Sequence, residues 1–466
     1  MDDNEISEIC FPTVSEVLHA VSPNFRNKQK AIALISSMIA TIACSKVSVL
    51  QVALGLFIQD KKSIQLLQEY AVTSSYYEVR RFKISAGDFA RKEKRPVLDG
   101  NDGLVHGVYD NFDANLSTQN GLKQTHSLAT ILIQHSKTSN ERTREPIPRL
   151  NQAELPSVEL SEMQLKTYAG EKKPNMPESF SKNNVLPLKV LCNQHLTVRR
   201  SRHCDMQFIK DILTKKDVPD FGGYNTIAAR EAGQIAKPKS RVIYKPLINK
   251  TPSDCSTVLS AMCEIERDTA HAGQQVTVFT CDQQLYRVTI DIIWNDPSRW
   301  ANCYPRLGGM HWLMSFAGAI GKLMKNSGLD TWMSSAFAGV DKMLVGKKFP
   351  MNIRALRICA IELLRCLIET STTYEDLDSK LCALSSKSRL AEHWIHNFVV
   401  PVFLMLMYVR AEREGEFGLH LYACKKMLPY FFAAGHWNYA RDGVVYLRMM
   451  ESLPVSLMNK FMKGEQ

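Results

Sequence analysis

Apolar positions recur at helical spacing over most of the chain and at alternating spacing only in its middle. The first 95 residues read as helical. Ala31 to Ile58 carries one charge, Lys46, and is broken by Ser36, Ser37, Ser45, Ser48 and Gln51. That predicts two buried helices rather than a membrane span. "SIQLLQEYAVTSSYYEVRRFKIS" (63–85) gives a helix, a polar break at Thr73–Ser75, and a second helix bearing Arg80, Arg81 and Lys83. This is the outline of a helix-turn-helix, whose second helix can lie in a major groove. It is equally the outline of a helical hairpin with a solvated basic face.

"VYDNFDANLSTQNGLKQTHSLATILIQ" (108–134) alternates, breaks in a polar loop and resumes as an apolar run from Leu128 to Ile133, which predicts a hairpin. Residues 136 to about 185 are polar and proline-bearing without a period, which predicts a linker or insertion, partly disordered. Strands are then predicted at Ser240–Asn249, Val276–Asp282 and Tyr304–Leu307. Helices are predicted at Cys255–Gly273 (with Ser256 as cap), Gln284–Trp294 and Trp312–Met324. An antiparallel start followed by strand-helix alternation predicts a mixed α/β sheet with helices packed on it. From 325 to the end every stretch reads as helix, and "VVPVFLMLMYV" (399–409) is too short to span a membrane. The organisation expected is a helical domain over 1–95 and a first hairpin over 100–135. The linker follows over 136–185, the remaining α/β core over 186–324, a helical insertion over 325–405, and closing helices over 406–466.

Composition adds little: 45% hydrophobic and 23% charged is ordinary globular material. The net charge of +11 suits a polyanion such as DNA. Twelve cysteines scattered among apolar neighbours read as reduced thiols of an intracellular protein, and the acidic start "MDDNEISEIC" is no secretory signal. With DNA as partner the compartment is the nucleus. A homo-oligomer is compatible with all of this, and no membrane partner is expected.

The candidate chemistry lies in three acids. Asp110, with Asp113 close by, ends the first strand; Asp282 ends "QVTVFTCD"; Glu412 sits late in "YVRAEREG", with Glu414 and Glu416 as rivals. Clustered carboxylates repel one another and suit hard divalent ions, here magnesium or manganese, which activate water or a 3′-hydroxyl for attack on a phosphodiester. The order Asp, Asp, Glu on first strand, later strand and late helix matches a ribonuclease-H-like core, with 325–405 as the helical insertion of some transposases. Each acid also has a plainer role: Asp110 and Asp113 as turn residues, Asp282 as the N-cap of the next helix, Glu412 as a solvated helix end. His311 and His436 read as core histidines as readily as functional ones. "CNQHLTVRRSRHC" (192–204) offers Cys192, His195, His203 and Cys204, but adjacent His203 and Cys204 rarely both face one ion, so zinc is not expected. Its Arg199, Arg200 and Arg202 read better as a phosphate-contacting loop. The glycine pairs of "GGYN" (222–225) and "LGGM" match no phosphate-loop pattern.

Four patterns, D-N-x-D at Asp110, Asn111 and Asp113, D-Q-x-L-Y at Asp282, Gln283 and Tyr286, G-x-x-H-x-x-M-S at Gly308 and His311, and R-A-E-R at Arg410, Glu412 and Arg413, resemble those of an uncharacterised multi-copy eukaryotic family. That resemblance runs from the N-terminal helices to about Pro454 and implies a mobile-element origin. It adds His311 and Arg410 as supporting residues. The functional expectation is a transposase-like DNA-binding protein with Asp110, Asp282 and Glu412 as catalytic metal ligands. The alternative is a domesticated relative that binds DNA or protein without cutting.

Overall fold

The computed structural model describes residues 38, 49–58, 61–92, 98, 103–115, 124–135, 149–151, 153, 165–178, 195–213 and 240–463. Cys192 and Gly222–Asn225 lie outside them. The chain divides into two compact units, one comprising 1–96 with 141–162 and the other 97–140 with 163–466.

In the first unit, helices α1 (Val49–Ile58), α2 (Lys61–Glu69) and α3 (Tyr76–Lys92) pack on one another. The polar break between α2 and α3 is a structured turn. Thr73 Oγ1 donates to the Ile64 carbonyl at 3.1 Å, and Gln51 Nε2 donates to the Ala71 carbonyl at 2.7 Å. Ser75 Oγ accepts the Glu78 N–H, so the serine caps α3. Arg80 and Lys83 are exposed on α3. Arg81 instead reaches the Leu150 carbonyl at 2.6 Å, and Arg149 pairs with Glu78. A piece of the expected linker is thus held against α3 by hydrogen bonds.

The second unit is helix-rich around a small mixed sheet. Strands β1 (Val105–Asn115) and β2 (Gln124–Gln134) form the expected hairpin, in register from Val105 with Gln134 to Asn115 with Gln124. Helix α4 (His195–Leu213) leads to β3 (Arg241–Tyr244), which pairs antiparallel with β2. Then α5 (Cys255–His271), β4 (Thr277–Cys281), α6 (Gln283–Asn295), β5 (Cys303–Leu307) and α7 (Gly309–Leu323) alternate. The sheet order is β3-β2-β1-β4-β5, with β1, β4 and β5 mutually parallel. The two hairpin strands and the three further predicted strands therefore share one sheet. The segment expected at Ser240–Asn249 is shorter than predicted: β3 ends at Tyr244, and only Ile248 returns to bridge Leu128.

Helices α8 (Leu329–Ser334), α9 (Val340–Leu344), α10 (Phe349–Thr370), α11 (Tyr374–Lys387) and α12 (Arg389–Trp394) follow. A π turn at Ile395–Val399 joins α12 to α13 (Val400–Glu414), and α14 (Phe417–Ala433), α15 (Trp437–Glu451) and α16 (Val455–Met462) close the chain. Residues 389–414 form one run long and apolar enough to cross a membrane, but 67% of its apolar window is buried inside the protein. It packs on α7, α10 and α14 as a core helix. The domain boundary expected at 405 falls inside it.

Several local expectations are corrected. Asp254, not Ser256, caps α5, accepting from the Ser256 and Thr257 N–H groups; Ser256 Oγ is instead taken by the Tyr168 N–H. That bond, with Lys166 N–H to Ser260 Oγ and Glu171 N–H to Asn295, docks part of the expected disordered linker along α5 and α6. The expected arginine loop is the helix α4. There Arg199 pairs with Glu375, Arg200 with Glu414 and Glu416, and the Arg202 guanidinium lies 5.0 Å from the Tyr374 ring centre. Arg199, Arg200 and Arg202 carry the same charge on a helix as on a loop, so charge alone does not distinguish the two. On the same helix His203 is exposed and Cys204 buried, so the two point apart.

The tightest approach in the sheet is at Gly107, where a Cβ would lie 2.4 Å from Ile265 Cδ1 of α5. Overpacking of this kind costs about 1–3 kcal/mol. Gly107→Ala is expected to destabilise the fold by that amount in urea denaturation. Ile265→Ala, which removes all three crowding side-chain atoms, should show a positive coupling with Gly107→Ala in the double variant; simple additivity of the two changes would show that the contact is not the cause.

Candidate functional site at the carboxyl edge of the sheet

The pairing of β1 with β4 is short: Gly107 with Phe279 and Val108 with Thr280. Two residues beyond Val108 and Thr280 come Asp110 and Asp282. Both therefore stand at the carboxyl edge of the parallel strands, where α/β sheets offer side chains to ligands. Asp110 does not end its strand, as expected from sequence. β1 continues to Asn115 paired with β2 alone, because cross-strand pairing there outweighs the turn preference of Asp and Asn. Side chains on a strand alternate between faces, so Asp113, three residues on, is turned away from Asp110. It bonds His126, directly opposite, at 2.7 Å. Asp113 is thus removed from the acidic edge.

Asp282 is half-buried and serves its helix: its Oδ1 accepts the Leu285 N–H at 2.8 Å as the N-cap of α6. Burial raises its pKa most, the charge of Asp110 adds to this, and the Leu285 hydrogen bond and His311 oppose it. The two aspartates therefore sense each other. Asp110 is exposed; its Oδ1 accepts the neighbouring Asn111 N–H. Gln283, next in the chain, donates to buried Asp442 at 2.6 Å, and Arg441 clamps that carboxylate at 2.7 and 3.0 Å. Those bonds fix α15 to the start of α6.

Glu412 reaches the same edge from α13. The turn from β5 into α7 runs through Gly308, whose N–H donates to the Cys281 carbonyl at 2.7 Å, and Gly309. A Cβ on Gly309 would lie 3.0 Å from the Tyr408 hydroxyl and 3.5 Å from Glu412 Oε2. The glycine lets α13 press its polar end against the turn that also borders Asp282. The choice between Glu412 and Glu414 is decided by burial. Glu414 is buried with Arg410 (3.0 Å), which also holds Asp205 of α4 (3.0 Å). Arg410 is thus a structural tie between α4 and α13 and does not reach the edge.

Four residues that the sequence reading missed surround Glu412. Its Oε1 lies 2.6 Å from His420 Nδ1 of α14, and His420 Nε2 is 2.7 Å from the Tyr446 hydroxyl of α15. Arg306 of β5 lies within electrostatic reach of both Tyr446 and Glu412, and the Tyr408 ring sits 5.0 Å from the imidazole. A carboxylate only accepts, so Nδ1 carries the proton facing it. His420 is buried, whereas Glu412 keeps 38% of its side chain exposed, in a recess walled by α7 and α14. Burial pushes the Glu412 carboxyl up, but His420, then Arg306 and Arg413, hold it at about 2. The one sequence signal was a single histidine inside the apolar run "FGLHLYAC".

No three His, Cys, Asp or Glu side chains form a ready metal cluster among the described residues. The aspartates form one pair, and Glu412 forms a second, cation-balanced station beside it.

The depressed Glu412 carboxyl has a signed consequence. Its ionisation stabilises the fold above the ordinary glutamate range near 4.5, and that stabilisation is lost as pH falls toward 2. Because the carboxylate reaches solvent, screening limits it to the order of 1 kcal/mol. Urea denaturation should show wild type losing more stability than Glu412→Gln between pH 4.5 and 2. Parallel pH curves would refute the ion pair.

No curated protein and no solved structure matches the chain. One family model does, over residues 221–387 and 369–465, which takes in Asp282, His311, Glu412 and His420 but not Asp110. With more than half its length matched, the chain belongs to the family described as "Domain of unknown function (DUF8702)".

Proposed function

We propose that the protein is a transposase-like, DNA-handling protein with a ribonuclease-H-like core, whose acidic edge takes phosphodiester as substrate. One observation carries this reading. The sheet order β3-β2-β1-β4-β5, with only β2 antiparallel, brings one aspartate on β1 beside one after β4, and a late helix adds Glu412 at the neighbouring turn. The mobile-element origin implied by the sequence resemblance belongs to the same reading, as does a nuclear location.

The donor set fits a hard cation in part. Asp282 spends Oδ1 on its helix and Asp110 spends Oδ1 on Asn111, and each retains a second oxygen. Asp110 and Asp282 would hold magnesium or manganese together, with Glu412 as the adjacent acid. Such an ion, when bound, supplies activation of water or a 3′-hydroxyl for attack on phosphorus. The chain's own residues do the rest. The α6 cap fixes the rotamer of Asp282, and His420 keeps Glu412 anionic. His311, in the first turn of α7, stands within electrostatic reach of Asp282.

A second reading, a relative that binds DNA without cutting it, is favoured by the pairing of Glu412 with His420. That carboxylate already has the Arg306 and Arg413 charges near it, and no three-ligand cluster is preformed among the described residues.

Asp282→Asn separates the two. Asparagine keeps the helix cap and removes a charge that burial and Asp110 disfavour. At pH 7 without metal the variant is expected to be more stable than wild type. The gain should shrink as pH falls through the raised Asp282 pKa, where the wild-type group is protonated anyway. Manganese should raise the wild-type melting temperature, by about 2.7 kcal/mol of stability at a hundredfold excess over Kd, and do little for the variant. Wild type should nick supercoiled plasmid with manganese, and Asp282→Asn should not. Manganese that neither stabilises wild type nor supports nicking selects the second reading.

A further inference from the structure

The residues expected to contact DNA are largely engaged elsewhere: Arg81, Arg199, Arg200 and Arg202 all hold partners within the protein. Another basic surface lies at the far half of α7. Between Ser315 and Lys348 the chain carries five lysines against two aspartates, Asp330 and Asp341, and no arginine or glutamate. Lys322, Lys325, Lys342 and Lys347 are all exposed.

Close backbone packing assembles these residues. A Cβ on Gly321 would lie 2.1 Å from the Leu344 carbonyl oxygen, and one on Gly346 would lie 2.1 Å from that of Met314. Helix α9 and the turn after it therefore press directly on α7. From the other side comes the turn between α14 and α15. His436 Nδ1 lies 2.8 Å from Ser315 Oγ, and its ring edge is 3.4 Å from the Cβ position of Gly318. The Lys322 ammonium and the Trp437 indole nitrogen both lie within 4 Å of the Cβ position of Gly435. Trp437 is 65% exposed and Val345 65% exposed, and Phe432 lies edge-on to Trp437 at 6.3 Å.

An exposed indole beside an ammonium, with further lysines around it, is the chemistry of a single-strand surface. Phosphates pair with the ammonium groups, and an unstacked base lies on the aromatic face. A duplex keeps its bases stacked and offers nothing to Trp437. An acidic protein would satisfy the lysines and leave the indole without a stacking partner. We infer that the surface formed by Lys322, Lys325, Lys342, Lys347 and Trp437 binds single-stranded nucleic acid. The inference rests on the nucleic-acid part of the function proposed above and is independent of its metal chemistry.

The test uses the full chain and a fluorescein-labelled dT20 oligonucleotide, followed by anisotropy and tryptophan quenching. Wild type should bind dT20 more tightly than a 20-base-pair duplex and lose fluorescence on binding. Lys322→Gln with Lys347→Gln should weaken binding about tenfold or more and reduce the slope of log affinity against log salt by about 1.4. Trp437→Ala should weaken it about fivefold or more and remove most of the quenching. All of these positions are exposed, so unchanged circular dichroism is expected. If wild type binds dT20 and both variants bind it equally well, the surface lies elsewhere and the inference falls alone. Loss of binding in the lysine variant with none in Trp437→Ala overturns the single-strand form, as does polyglutamate displacing dT20 at equal charge concentration. If wild type binds neither oligonucleotide at low salt, the nucleic-acid reading itself falls.

Discussion

The acidic edge depends on the two-pair parallel contact between β1 and β4. It is made possible by Gly107, which lets α5 lie flat on the strand with Ile265 filling the space a side chain would take. Without that approach β1 would be a hairpin strand only, and Asp110 would have no relation to Asp282. Because the contact ends at Val108 and Thr280, the next outward-facing residues on both strands are unpaired at the junction, and both are acids. The position is one where sheet geometry, and not helix capping or turn preference, brings like charges together. Burial raises the Asp282 carboxyl most, and the Asp110 charge adds to it.

Charge at this edge is distributed unevenly. Glu412 is matched by His420 and Arg306, through a chain of buried contacts that runs from α13 to α14, α15 and β5. Arg306 itself lies in the sheet one position before the β5 end, so strand and helices hold one carboxylate between them. On the aspartate side, Asp282 is opposed by the Leu285 and Gln284 N–H groups of its own helix and by His311. A polyanion would be repelled by two bare carboxylates, and a cation would be drawn to them. The two sides of the edge therefore differ in electrostatics: the Asp110–Asp282 side is acidic, and the Glu412 side is offset by Arg306 and Arg413.

Much of the fold was legible because its signals were periodic. The hairpin, the strands ending at Asp282 and Leu307, and the helices between them follow from alternation and 3.6-residue spacing. What failed was local. Asp254 is the cap because it stands immediately before the first helical residue with extended backbone, φ −72° and ψ 133°, whereas Ser256 is already inside α5. Asp110 was taken for a strand end because "DNFD" is turn-like by composition, while eleven register pairs with β2 carry the strand through it. Of the three acids expected from their order, Asp282 follows β4 directly, whereas Asp110 lies inside β1 and does not end it. His420, Tyr446 and Arg306 were invisible because their relation exists only after α14, α15 and β5 pack. No spacing rule connects a histidine to a strand arginine more than a hundred residues away.

The four sequence patterns also divide by what their residues do in the fold. Gln283 ties α15 to α6, Tyr286 is fully buried, and Arg410 joins α4 to α13; these are packing residues that a motif search ranks beside Asp282 and Glu412. Gly308, His311 and Ser315 lie along one helix that spans two surfaces. Helix α7 has 15 residues, about 22 Å at 1.5 Å per residue. Its first turn borders the acids, and its last turn carries Lys322 beside Trp437. The near end of α7 is thus acidic in its neighbours and the far end basic. Helix α7 is in this way the geometric link between the exposed lysines around Trp437 and the acidic edge, with His311 on its first turn facing the Asp282 side.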